Sequence, residues 1–130
     1  MKKTSCKKAL LISVVSLLVL SGCYMPRRPA TTLTITNPTS AATLALYQEI
    51  YIISQIRSED GWGMLELYIN GELIRFDTSA DRTQKFTEIS QPWIPTSEGP
   101  TLISLIAYDS NDKQIAAAEV AVLVSATAAT

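Results

Sequence analysis

The chain has no histidine among its 130 residues. That removes the usual general base, the usual partner of a nucleophilic serine and the commonest zinc ligand. Cysteine is confined to Cys6 and Cys23, so no disulfide can staple the body of the chain and no thiolate site can form there. Whatever folds downstream rests on its apolar core alone. Beyond residue 23 the only lysines are Lys85 and Lys113, and neither sits in a recognisable serine motif. A serine nucleophile would have to borrow one of them, or a carboxylate, as its base. The acids are scattered along loops and outward strand positions rather than paired across a cleft. An enzyme is not expected, and neither is a cofactor.

What is present describes one folded domain. Hydrophobic residues make up 47% and charged residues 18% of the chain, a balance outside the disordered range, and the length allows a single domain.

The N-terminus has the parts of an export signal in order. Lys2, Lys3, Lys7 and Lys8 precede an uncharged apolar run from Ala9 to Leu20, too short to span a bilayer at ~20 residues. Leu20, Ser21, Gly22 and Cys23 follow, and they resemble the lipobox of bacterial lipoproteins. That resemblance implies cleavage between Gly22 and Cys23 and a diacylglyceryl group on the Cys23 thiol. The implied address is extracytoplasmic, on a cell membrane or outer membrane. An anchor with two acyl chains holds stably where one does not. Loss of residues 1–22 would leave seven basic against twelve acidic residues, a net charge of −5. An acidic mature chain argues against nucleic acid as a partner.

Residues 23–32 include Pro26, Arg27, Arg28 and Pro29 without apolar periodicity. They read as a tether, because proline fixes its own φ and biases its predecessor toward extended structure.

From Leu33 to Ser125 short β-branched and aromatic runs alternate with turn signals, which predicts an all-β sandwich of about seven strands. Residues 126–130 are expected to be a tail. Leu33 and Ile35 alternate with threonines. Leu46, Ile50, Ile52 and Ser54 share one candidate face. Leu65, Leu67 and Ile69 alternate with Glu66, Tyr68 and Asn70, and Asn70-Gly71 is the pair that a type I′ hairpin turn prefers. Val120, Val122 and Val124 alternate near the end.

Three stretches, "ELYINGELIRFDTSADRTQKF", "WIPTSEG" and "LIAYDSND", resemble in order and spacing the bacterial immunoglobulin-like domains of cell-surface proteins. The resemblance implies an immunoglobulin-like antiparallel β-sandwich that serves as a spacer, an adhesion module or a substrate-binding appendage. It also places Trp93 between the sheets. The chain departs from the pattern at Thr101, where many members have an aromatic residue able to make a corner hydrogen bond.

Period-2 alternation with Ile103, Leu105 and Ala107 inward sends Leu102 and Ile106 outward. Leu123 and Ile56 are further outward candidates. An exposed contiguous apolar patch marks a partner surface, so an envelope protein is the expected partner. Trp62 lies between two glycines, and two roles stand open to it. It either stacks on a sugar or partner, with Tyr68 beside it, or folds back to plug the sandwich end. The acidic loops Ser58–Asp60 and Asp109–Asp112 are alternative calcium candidates, although Asx-rich turns commonly connect strands. A carbohydrate- or calcium-binding module around Trp62 is therefore the alternative to an interaction module.

Overall fold

The structure, a computed structural model, describes residues 31–127. The expected signal, the Gly22–Cys23 cleavage and lipidation site and most of the tether lie outside the described residues. Eight strands follow one another: β1 (Thr32–Asn37), β2 (Thr43–Ala45), β3 (Ile50–Arg57), β4 (Met64–Ile69), β5 (Glu72–Thr78), β6 (Phe86–Trp93), β7 (Gly99–Tyr108) and β8 (Gln114–Ser125). They form a three-stranded sheet ordered β1-β3-β6 and a five-stranded sheet ordered β2-β8-β7-β4-β5. Every pairing is antiparallel except β2 with β8. This is the immunoglobulin-like sandwich expected from the sequence.

The period-2 pattern accounts for the core, because alternate side chains of a strand fall on opposite faces of its sheet. Leu65 and Leu67 of β4, Ile103, Leu105 and Ala107 of β7, and Val120 and Val122 of β8 pack together from the larger sheet. Ile52 and Ile56 meet them from β3. Each large apolar side chain buried in this way contributes about 1.5–3 kcal/mol relative to exposure.

Ile56, expected outward, is 0% exposed. It is in phase with Ile52 and Ser54 and must share their inward face. Leu46 is not part of that ladder. It lies in the turn after β2, where the Leu46 N–H donates to the Ser125 carbonyl at 3.2 Å and the Tyr47 N–H to the Pro95 carbonyl at 2.8 Å.

The Asn70-Gly71 turn takes the form its sequence predicts, with φ of 49° and 84° at the two residues. Just beyond it the β4–β5 register slips. Leu67 faces Arg75 whereas Tyr68 faces Leu73, so Ile74 is an extra, bulged residue. Bulges of this kind re-aim side chains.

The sandwich has two distinct ends. Thr32, Arg57 and Phe86 are paired neighbours at one of them, which also carries the Trp62 loop. Ile50 pairs with Trp93 at the other, which also carries the Asn70-Gly71 turn. The chain enters β1 at the Trp62 end, and β8 finishes at the Trp93 end, where Gly99 pairs with Val124.

Candidate binding surface

Leu102 and Ile106 both lie on the outer side of the larger sheet, as the alternation expects. Leu102 is 39% exposed and Leu123 is 45% exposed, as the alternation predicts. Ile106 is half-buried, between Glu66 of β4 and Ala117 of β8. The face continues into β5, where Phe76 is 59% exposed opposite Glu66 and Leu73 is exposed opposite Tyr68. Toward the β2 side it meets an open hollow of about 340 Å³ bordered by Ser40, Ala41, Thr43, Pro100 and Leu123.

Tyr68 lies on this face, as its alternation requires, but it is tied to its own strand. Its hydroxyl donates to a Glu66 carboxylate oxygen at 2.6 Å. Residues two apart in a strand are neighbours on one face, so the bond lays the phenol ring along β4. Hydrogen bonding to Glu66 comes first among the causes that push the Tyr68 pKa up to about 12. Tyr108 is also held above the ordinary tyrosine value, first by desolvation and then by Glu66. A carboxylate flanked by two phenols therefore sits on this face, which also carries Ser104 and Glu119, joined at 3.4 Å, in the row across from Tyr68.

Trp62 is not on any surface. It is 3% exposed and belongs to the core, and its indole N–H donates to the Thr87 hydroxyl at 3.1 Å. The exposed-stacking role considered for Trp62, and the shared platform with Tyr68, are thereby corrected. One side chain is inside the sandwich and the other is on an outer face. The flanking glycines show why the plug fits. A Cβ on Gly61, where φ is +76°, would stand 1.8 Å from the Arg82 carbonyl oxygen, and one on Gly63 would stand 2.6 Å from that of Asp109. Bare backbone at both positions lets the loop close tightly enough to drive the indole inward.

The acidic loops are knitted by their own backbone. The Asp109 carboxylate accepts from the N–H groups of Asn111 at 2.8 Å and Lys113 at 3.0 Å. Lys85 and Glu59 form an exposed ion pair at 3.1 Å. Among the described residues no group of three or more His, Cys, Asp or Glu side chains gathers closely enough to hold a metal ion.

Trp93, expected between the sheets, packs against the core but is only half-buried. It borders a pocket of about 210 Å³ between the β4–β5 hairpin and the segment joining β6 to β7. Sequence reading passed over this pocket, and also over the exposure of Phe76 and Leu73. The bulge at Ile74 breaks the alternation from which both could have been read.

No family model matches the chain, and no curated protein matches it. Solved structures do resemble it. The fibronectin(III)-like modules of Clostridium thermocellum CbhA align at a TM-score of 0.62 and 24% identity, over 78% of this chain and 50% of that one. The match thus spans half the length of that solved chain. The CARDB domain of Pyrococcus furiosus PF1109, solved in complex with di-metal ions, aligns at a TM-score of 0.59 and 19% identity, over 77% of this chain and 96% of that domain. At these identities the likeness shows the fold alone: a fibronectin- or immunoglobulin-like sandwich domain.

Proposed function

We propose that the chain is a lipid-anchored extracytoplasmic lipoprotein whose immunoglobulin-like domain is a non-catalytic interaction module for another envelope protein. The observation that carries the interaction role is the group of exposed apolar side chains on the outer face of the larger sheet, Leu123, Leu102, Leu73 and Phe76, with half-buried Ile106 among them and Ser104, Glu119 and Glu66 interspersed. A sheet face of this kind is a partner surface when its apolar area is contiguous. Cys23 within the Leu20–Cys23 signature supports the anchor. The fold is one that spacers and adhesion modules share, and fold alone does not choose among them.

Metabolic palmitate labelling in a bacterial host tests the anchor. The chain takes up label and Cys23→Ser does not; equal labelling of the two forms overturns the anchor. Site-directed crosslinking from Leu102 in intact cells tests the face. A discrete adduct that Phe76→Asp abolishes supports the interaction role, and adducts unchanged by that substitution count against it.

A further inference from the structure

The pocket beside Trp93 has the composition of a ligand site. Its apolar wall is built by Ile69, Ile74 and the Trp93 ring, with Asn70, Glu72, Thr96, Ser97 and Thr101 supplying polar groups. The β-bulge turns Ile74, which would otherwise continue the alternation of an edge strand, toward this wall. The hairpin turn itself brings Asn70 and Glu72 to the same pocket.

The polar groups differ in how much of their bonding capacity the protein uses. Thr101 donates its hydroxyl to the Gly99 carbonyl at 3.2 Å. The Asn70 side-chain oxygen accepts from the Leu102 N–H at 2.8 Å, which leaves the amide NH₂ pointing away from that bond as a donor. Among the described residues, the side chains of Glu72, Thr96 and Ser97 and the Trp93 indole N–H have no protein partner. Trp62 is the contrast within the same chain, because its indole N–H is bonded to Thr87. The site is therefore bordered by Trp93, Ile69 and Ile74, with the Asn70 amide N–H, the Glu72 carboxylate and the Thr96 and Ser97 hydroxyls at its rim.

We infer that this pocket takes a single six-membered sugar ring. A pyranose has an apolar C–H face to set against an indole and a rim of hydroxyls that both donate and accept, which answers each group present. A purely apolar ring would leave the polar groups unanswered. An anion would meet the Glu72 carboxylate with no cation lining the pocket. A quaternary ammonium ion would use the indole and Glu72 but none of the donors. The volume of about 210 Å³ is below the usual range of drug-sized pockets and suits one ring rather than a chain of them. A site this small and open binds in the millimolar range. The inference is independent of the apolar sheet face and of the lipid anchor, which lie elsewhere on the chain.

Tryptophan fluorescence on the full chain in detergent tests it. The chain has two tryptophans, of which one is buried and one borders the pocket. The probes are N-acetylglucosamine, galactose and methyl glucoside, with cyclohexanol and choline as comparison ligands. At least one sugar protects a tryptophan from acrylamide quenching, saturably, and cyclohexanol and choline do not. Trp93→Ala removes the protectable signal, and Glu72→Gln, an exposed substitution that leaves the fold intact, weakens the sugar by about tenfold through loss of a charge-assisted hydrogen bond. No protection by any of the sugars overturns the inference. So does protection by choline alone, or sugar protection that Glu72→Gln leaves unchanged.

Discussion

The Trp62 indole N–H donates to the Thr87 hydroxyl across the sandwich end, at 3.1 Å, and joins the loop after β3 to strand β6. The largest side chain of the Ser58–Gly63 loop is thereby both packed and hydrogen-bonded. Its polar atom is satisfied without reaching solvent, as buried tryptophan requires.

Truncation of this plug is expected to be severe. Trp62→Ala lowers unfolding stability by about 3–5 kcal/mol, and Thr87→Val, which keeps the shape but strands the indole N–H, by about 1 kcal/mol. Chemical denaturation midpoints of the three proteins measure both. A Trp62→Ala protein as stable as the parent would show that the indole does not plug the core.

Gly61→Ala should match or exceed the loss at Trp62. The new methyl would have to displace the Arg82 carbonyl oxygen at a backbone angle that L side chains rarely adopt. Thermal unfolding of Gly61→Ala and Gly71→Ala provides the comparison. Gly71 also has a positive φ, but nothing lies within 4 Å of its added Cβ, so its substitution carries the strain without the collision and lowers Tm less.

The inward and outward assignments of two isoleucine-sized residues give opposite expectations. Ile56→Ala costs about 2–5 kcal/mol because it opens a cavity in the core. Leu102→Ser stays within about 0.5 kcal/mol, since Leu102 is already exposed on the outer face. Equal effects of the two, by equilibrium denaturation, would refute the register of the sheets.

Within the interior, the Ser54 hydroxyl and the Gln91 side-chain carbonyl oxygen are buried without a hydrogen-bond partner. Removing an unanswered polar atom relieves a desolvation cost. Ser54→Ala is therefore expected to raise stability by about 1 kcal/mol, read as a shift of the denaturation midpoint at constant slope. Gln91 behaves differently, because its amide donates to the Asp77 carboxylate at 2.7 Å, where Asp77 also pairs with Arg75 at 3.0 Å. Gln91→Leu gives up that bond and gains less.

Alkaline titration reports on the bond between Tyr68 and Glu66. Its proton is held more tightly in the folded chain, with a pKa pushed up to about 12 by its bond to Glu66. The stabilisation from this bond is complete below the ordinary tyrosine pKa of 10 and is lost as pH rises from there through about 12. Glu66→Gln moves the Tyr68 phenol back toward 10, followed as tyrosinate absorbance. An unchanged titration would mean that Glu66 does not hold the Tyr68 proton.

Much of the sandwich is legible because its core strands alternate cleanly. Leu65 and Leu67, Ile103 and Leu105, and Val120 and Val122 all point inward as written, and Asn70-Gly71 marks its own hairpin. Strand β2 is harder to see. It is three residues long and is recruited by a parallel edge pairing with β8, about eighty positions away, which no local pattern announces. Trp62 illustrates a different limit. Composition shows a large aromatic between two glycines, which favours the plug without excluding exposure. Only the approach of the Arg82 and Asp109 backbone to those glycines decides between them. Trp93 escaped for a third reason: facing the other sheet does not bury a residue at the sandwich end.

The chain enters and leaves the sandwich at opposite ends, and this gives the domain a polarity. Thr31 stands beside the Trp62 loop, with its hydroxyl 3.0 Å from that of Ser58, whereas the Trp93 pocket opens at the far end of strands β3 and β6. In a molecule tethered through Cys23, the plugged end is the base. The pocket lies one strand length from that base, at ~3.3 Å for each residue of β3, so the point where the chain enters the domain and the hollow beside Trp93 are separated by the full height of the sandwich.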